Sequence, residues 1–421
     1  MASADFNHYP FAGKRVLVRV DFNVPFSPQT GLVSDDTRIR RALPTIEHIV
    51  SRGGRAILIS HLGRPKGQPK PEFSMQRIVQ TVSTILGKHI TFVPDCIGPL
   101  ALQAVQKMHD GDIVLLENVR FHPEEEAKVK QADGEPNEAF AARKAAMKRA
   151  QQEFAAALAS LGDCFVMDAF GAAHRAHASV AAIASHFPND KMFGLLLASE
   201  LEAMAKVLQH PARPLTAVMG GAKVSDKLTL IEQILPKVDR LLIGGGMAYT
   251  FALAQGGTIG TSICEPEQIA TAQHIMEQAK AQGVTLLLPT DSVCAREFKA
   301  QATPSVYPTA AIPTDQMGMD IGPETVKQFS EAVRTSKTVF WNGPMGVFEF
   351  PTFAKGSFAL AKALAEATMQ GAFTLVGGGD SVAAIRESGL DDKVSFLSTG
   401  GGAMLEYLEG KRLPGVAAIE D

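Results

Sequence analysis

The sequence predicts an α/β protein of two three-layer (αβα) domains with mainly parallel sheets, joined by a helical hinge. Short β-branched apolar runs recur along the chain, each followed by a loop and then by a stretch with helical spacing. The runs are apolar almost throughout rather than alternating, the pattern of strands covered on both faces. A length of 421 residues exceeds what one ordinary core accommodates, so more than one domain is expected.

In chain order the runs are VLVRV (16–20), AILIS (56–60), DIVLLE (112–117), CFVMD (164–168), LTAVMG (215–220), RLLIG (240–244), TLLLP (285–289), TVFW (338–341), FTLVG (373–377) and VSFLS (394–398). Between the fourth and fifth lies KMFGLLLASELEAMAKVLQ (191–209), apolar at helical spacing and followed by Pro211 and Pro214. It reads as the helix joining the domains, with a first domain over 1–188 and a second from 189. Residues 123–160 differ. An acidic start and a polar Gly/Pro stretch lead into an Ala-rich helix with Lys and Arg on one face, which reads as a solvated excursion.

A net charge of −3 argues against a surface devoted to nucleic acid. The first residues lack a basic segment followed by an unbroken apolar core, so no signal peptide is expected, and no run has the length of a membrane span. Cys96, Cys164, Cys264 and Cys294 are far apart and form no C-x-x-C, as in a reduced cytoplasmic protein.

Sheets of this kind bind ligands beyond the carboxyl ends of their strands, so chemistry is sought just after each run. In the first half the runs empty into polar and cationic loops: Asp21-Phe22-Asn23, His61-Leu62-Gly63-Arg64, Glu117 to Arg120, and Asp168 to Gly171. In the second they empty into glycines: Gly220-Gly221-Ala222-Lys223, Gly244-Gly245-Gly246, Gly377-Gly378-Gly379-Asp380 and Gly400-Gly401-Gly402. One half offers charged donors and the other bare backbone.

Arg38, Arg64, Arg120 and Arg175 follow separate strands. Each guanidinium is a rigid donor fork, and several converging forks hold a small polyanion. Asp21 and Asn23 add an acceptor and an amide able to read a hydroxyl, and His61 a further polar contact. His174 and His177 are spaced for one helical face, but no third ligand with metal-site spacing accompanies them. Strands that turn through glycine into helices let phosphate oxygens approach free N–H groups. Lys223 and Lys227, at i and i+4 on a helix opened by GGAK, would neutralise a moving phosphoryl group, and Asp380 would serve as a Mg2+ ligand. Neither a P-loop nor a dinucleotide fingerprint is present, which disfavours a Rossmann-type NAD-dependent dehydrogenase.

The segments RVDFNVP (19–25), DDTRIR (35–40), SHLGRP (60–65), ENVRFHPEE (117–125), DAFGAAHRAHAS (168–179), GGAKVSDK (220–227), LLIGGGMAYTF (241–251), WNGPMGVFE (341–349), VGGGDSVAA (376–384) and STGGGAMLEYLEGK (398–411) resemble, in order, those of the phosphoglycerate kinase family. The resemblance implies a monomeric, hinge-bending cytoplasmic enzyme of glycolysis with two Rossmann-like lobes. It would pass a phosphoryl group between 1,3-bisphosphoglycerate and Mg-ADP, with neither nucleic acid nor membrane as partner. Carried over by position, Asp21, Phe22, Asn23, Arg38, His61, Leu62, Gly63, Arg64, Arg120 and Arg175 would bind the glycerate. Gly221, Lys223, Lys227, Gly244, Gly245, Asn342, Glu349 (at the ribose), Gly378, Gly379, Asp380 (at the metal) and Ser381 would bind the nucleotide. Arg38, Lys223, Lys227, Gly379 and Gly402 would serve catalysis. The second domain would end at 404, with 405–421 packed back on the first. Thr is frequent in the family where this chain has Ser381, which keeps the hydroxyl. An inactive nucleotide sensor would be expected to lose Arg38, Lys223, Lys227 or Asp380, and all are present.

Overall fold

Apolar segments with no polar face cannot leave either side to water, and each of the ten runs forms a strand of a covered parallel sheet. The computed structural model describes residues 4–421 and divides into two units, one running through Leu201 and taking in Arg412–Asp421, the other spanning Glu202–Lys411.

The six-stranded sheet of the first unit has the order Thr91–Val93, Ile113–Leu116, Arg55–Ile59, Arg15–Val20, Cys164–Asp168, Lys191–Phe193. All its pairings are parallel, with Val16 beside both Ala56 and Cys164. The helix Thr37–Ser51 turns Ile39, Ala42, Ile46, Ile49 and Val50 onto one face of this sheet's core, while its second residue, Arg38, stays partly exposed.

The second sheet has the order Thr285–Leu287, Arg240–Ile243, Leu215–Met219, Thr338–Asn342, Phe373–Gly377, Phe396–Leu397, again parallel. Trp341, fully buried in a central strand, packs with Val218, Leu242 and Val376. A small antiparallel sheet of Ser305–Pro308, Asp291–Ala295 and Met317–Ile321 is appended.

The expected linker helix is shorter at its start. Lys191–Phe193 is an edge strand beside Phe165–Met167, and the helix runs Leu195–Leu208. Gly194 makes the break, lying so close to the Asp168 side chain that a Cβ there would collide with it. The first unit therefore extends past residue 188. At the other end, the helix Gly402–Leu408 packs on Leu228–Ile234 within the second unit, and only the residues from Arg412 return to the first. There Ala418 O accepts from Lys191 Nζ at 2.8 Å and Gly415 N–H donates to Ala173 O at 2.8 Å. Among the described residues no helix is long and apolar enough to cross a membrane.

Candidate active site

In the first unit, the residues expected to hold a polyanion lie on the segments that follow the four central strands. Main-chain and side-chain bonds knit those segments together. Asn23 Oδ1 accepts from Gly63 N–H at 2.8 Å, and Arg120 Nη1 donates to Gly63 O at 2.9 Å. Arg38 Nη1 donates to Asn23 O at 2.7 Å and lies 3.4 Å from Asp21 Oδ2. A cavity of about 400 Å³ lined by Asn23, Val24, Pro25, Asp35 and Arg38 opens here. Arg64 and Arg175 are exposed. Phe22 and Leu62 are core side chains, so only their main chain is available to a ligand. Their backbone is anchored, with Phe22 N–H on Ser60 Oγ at 2.9 Å and Leu62 O on Asn118 Nδ2 at 2.7 Å.

The electrostatics show that these cations share one region. Burial, then the charges of Arg19, Arg120 and Arg38 and the neighbouring His177, hold the His61 imidazole well below its ordinary range. His177 is pushed down to about 3 by burial and by Arg120, Arg19, Lys128 and Arg175. Burial likewise lowers Arg120, with Arg64 adding to the shift and Glu126, Glu125 and Asp21 opposing it. Mutually repelling cations gathered around neutral imidazoles form a site that favours an anion.

In the second unit, the loops after the four central strands also meet, but the glycines behave differently from expectation. Gly220 N–H donates to Asn342 O at 2.9 Å, Gly221 N–H to Pro344 O at 3.2 Å, Gly244 N–H to Met219 O at 2.8 Å and Gly245 N–H to Met345 O at 3.1 Å. These N–H groups are spent inside the protein. Gly244 and Gly245 therefore let the loops pack closely, against Met345 and against Gly221 and Pro344, and only Gly221, at φ +110°, leaves room on its Cβ side. The donors lie at Gly379–Glu387, a helix whose first-turn N–H groups have no carbonyl of their own to bond. Gly378 precedes it at φ +93°, where a Cβ would sit 2.5 Å from Asn342 Nδ2.

Lys223 and Lys227 do not share a helical face. The helix begins only at Leu228, with Lys227 as its flanking residue, and Lys223 lies in an irregular, exposed stretch. Glu265 holds that stretch by accepting from Ser225 Oγ at 2.5 Å and from Ser225 N–H at 3.1 Å. Lys227 Nζ bonds Asn342 Oδ1, while Asn342 Nδ2 donates to Gly377 O at 2.7 Å. Burial lowers the Lys227 ammonium against the opposing charges of Asp226, Asp380 and Glu409. Ser381 is buried, and its Oγ accepts from Gly343 N–H at 2.5 Å. Gly402 opens the helix whose Met404 occupies the space beside Gly377. Glu349 is exposed.

The Asp380 carboxylate is exposed in the first turn of its helix, beside Gly379, which has open space where a Cβ would stand. An exposed hard oxygen donor beside an open glycine fits Mg2+, which takes few carboxylates and completes its shell with water and phosphate. Elsewhere, Asp95, Cys96 and His122 are grouped closely enough to hold a metal. Asp95 Oδ1 already accepts from Cys96 N–H at 2.7 Å and bonds His122 Nε2 at 2.9 Å, which accounts for the grouping.

Sequence reasoning missed Arg19, Glu125, Ser179 and Glu265. Arg19 carried a signal: a charged residue inside an apolar parallel strand must find partners in the core.

Comparison with known proteins agrees with this geometry. The family model described as phosphoglycerate kinase matches residues 6–411. A phosphoglycerate kinase of Porphyromonas gingivalis is 51% identical, covering 98% of this chain and 99% of that protein. One from Chloroherpeton thalassium is 49% identical, covering 98% and 97%. Among solved structures, the phosphoglycerate kinase of Coxiella burnetii superposes with a TM-score of 0.85 at 38% identity, covering 99% of this chain and 98% of that one. That of Pyrococcus horikoshii gives 0.79 at 27% identity, covering 100% and 98%. With strand order, loop chemistry and whole-length similarity in agreement, the chain belongs to the phosphoglycerate kinase family.

Proposed function

We infer that the cationic loops of the first unit bind the phosphorylated glycerate and that the glycine loops of the second bind the nucleotide's phosphates. The chain is a phosphotransferase with a carboxyl group as acceptor (EC 2.7.2.3). It moves the 1-phosphoryl group of 1,3-bisphosphoglycerate to ADP, giving 3-phosphoglycerate and ATP, reversibly, in glycolysis.

The observation that carries the site reading is the contrast in donors. Guanidinium groups cluster around one pair of neutral imidazoles, and free helix N–H groups with a partly desolvated lysine gather at the other locus. In the forward direction a β-phosphate oxygen of ADP attacks the phosphorus of the acyl phosphate. The bond from phosphorus to the carboxyl oxygen breaks, and the carboxylate leaves with that electron pair. A carboxylate needs no proton to leave, so no general acid is required. Neutral His61 and His177 suit that demand. In the first unit Arg38 would offset charge on the acyl phosphate, and in the second Lys227 and the N–H groups at Gly379 would offset charge on the nucleotide's phosphates. Lys223, exposed on its loop, would reach the same phosphates. Asp380 would hold Mg2+, which when bound supplies positive charge to the nucleotide phosphates.

We also assign a monomer in a reducing cytoplasm, in keeping with free cysteines at Cys96, Cys164, Cys264 and Cys294. A coupled assay of ATP-dependent 1,3-bisphosphoglycerate formation from 3-phosphoglycerate tests the reading. Turnover that depends on both substrates and on Mg2+ is expected, and turnover without 3-phosphoglycerate would count against it.

A further inference from the structure

Arg19 lies in the central strand Arg15–Val20 and is fully buried, although the run around it is apolar. An unpaired guanidinium could not remain there, and each of its nitrogens has a partner. Nε donates to Ser179 Oγ at 2.9 Å, Nη1 donates to Val20 O, and Nη2 lies 3.1 Å from His61 Nδ1. Ser179 in turn donates from Oγ to Glu125 Oε1 at 2.7 Å and from N–H to Oε2 at 2.9 Å. Glu125 is also fully buried, so a carboxylate, a hydroxyl and a guanidinium form one chain ending on His61.

A guanidinium has donors only. The His61 nitrogen facing it must therefore be the acceptor, and in a neutral imidazole the other nitrogen then carries the hydrogen. We propose that Arg19, held by Ser179 and Glu125, is a positioning residue that fixes His61 as the Nε2–H tautomer and presents it to the glycerate substrate as a neutral hydrogen-bond donor. The proposal rests on the placement of His61 in the glycerate site made above.

The surroundings support a neutral ring. His61 is 5% exposed, and the charged or titratable groups acting on it are Arg19, Arg120, Arg38 and His177, all of which oppose protonation. Glu125 compensates Arg19 one step away, through Ser179. The site thus keeps the polyanion's charge for Arg38, Arg64, Arg120 and Arg175, while His61 contributes direction. A hydrogen on Nε2 can be aimed at one oxygen of a carboxyl or hydroxyl, whereas a mobile proton would make binding depend on pH near neutrality.

The test is heteronuclear NMR on the full chain with 15N-labelled histidine, the His61 signals being assigned by their loss in His61→Gln. The expected spectrum has a bare Nδ1 and a protonated Nε2, unchanged from about pH 6 to about pH 8. A hydrogen on Nδ1, or protonation of the ring within that range, overturns the assignment. Arg19→Lys should give a mixed tautomer and raise KM for 3-phosphoglycerate about tenfold or more, the loss of one hydrogen bond to a charged partner, with kcat changed far less. A wild-type ring spectrum in that variant overturns the role of Arg19. If Arg19→Lys fails to fold, the wild-type spectrum still decides the tautomer. An Nε2–H ring combined with an unchanged KM in His61→Gln would overturn the placement of His61 at the substrate, and with it the positioning role. That failure is distinct from a wrong tautomer.

Discussion

Lys227 Nζ donates to Asn342 Oδ1, and the same Asn342 side chain donates through Nδ2 to Gly377 O at 2.7 Å. One amide thus fixes both the ammonium and the start of the glycine turn that leads to Asp380. Burial lowers this ammonium, and the carboxylates of Asp226, Asp380 and Glu409 oppose the shift. Its charge is therefore poorly hydrated and available to an incoming phosphate.

Lys227→Met keeps most of the length of the unbranched side chain and removes the charge. We expect kcat to fall about 100-fold or more, since a preorganised donor at developing charge is typically worth that much. Steady-state kinetics beside a thermal melt make the check, and a fall in kcat matched by unfolding would not support the role.

Arg38 bonds Asn23 O at 2.7 Å and sits 3.4 Å from Asp21, so its fork is held by two acceptors. Arg38→Ala is expected to lower kcat by about two decades. Arg38→Lys should recover little, because one ammonium cannot reproduce a planar fork. Full recovery by lysine would reduce Arg38 to a source of charge.

Gly378 stands at φ +93° with Asn342 Nδ2 in the path of any Cβ. Gly378→Ala is expected to weaken ADP binding about tenfold or more and to destabilise the fold by roughly 1 kcal/mol or more, as alanine does at positive φ. Calorimetric titration with ADP and a denaturant melt measure the two effects.

Asp168 is fully buried at the end of its strand and accepts from Leu197 N–H at 3.1 Å. Burial pushes its carboxyl up to about 7, against opposing hydrogen bonds from Thr45, Leu197 and Leu196. Between about pH 4 and about pH 7 the folded chain then holds more protons than the unfolded one, so this carboxyl's contribution to stability falls as pH rises and levels off above that window. Asp168→Asn removes the titration. Its stability relative to the parent should improve from pH 5 to pH 8 by up to about 3 kcal/mol. Asp320, buried and likewise raised to about 7, is present in both proteins and cancels in the comparison. A difference that does not move with pH would show that Asp168 ionises normally.

The central strands were legible because their burial on both faces writes an unbroken apolar run. Thr91–Val93 was not, since only its last residue is buried, and Lys191–Phe193 was not, since it runs through Gly194 straight into the apolar helix Leu195–Leu208 and reads as its start. The glycine loops were found but their donors were misread. The groups that occupy Gly220 and Gly245 N–H are Asn342 O and Met345 O, far away in sequence and visible only once the sheet is assembled. Lys227 was expected within a helix, but the helix starts at Leu228, a start that nothing local in the sequence marks. Arg19 stood in plain view inside VLVRV, but its partners Ser179 and Glu125 come from distant loops.

Separate titrations of 3-phosphoglycerate and Mg-ADP into two variants test the division of labour most directly. Arg64→Ala/Arg175→Ala removes exposed guanidinium groups, with little expected cost to the fold. It should weaken 3-phosphoglycerate about tenfold or more and leave Mg-ADP unchanged, while Lys227→Met should do the reverse. If either variant loses the other's ligand, or both lose both alike, the assignment of charged loops to the glycerate and glycine loops to the nucleotide is wrong.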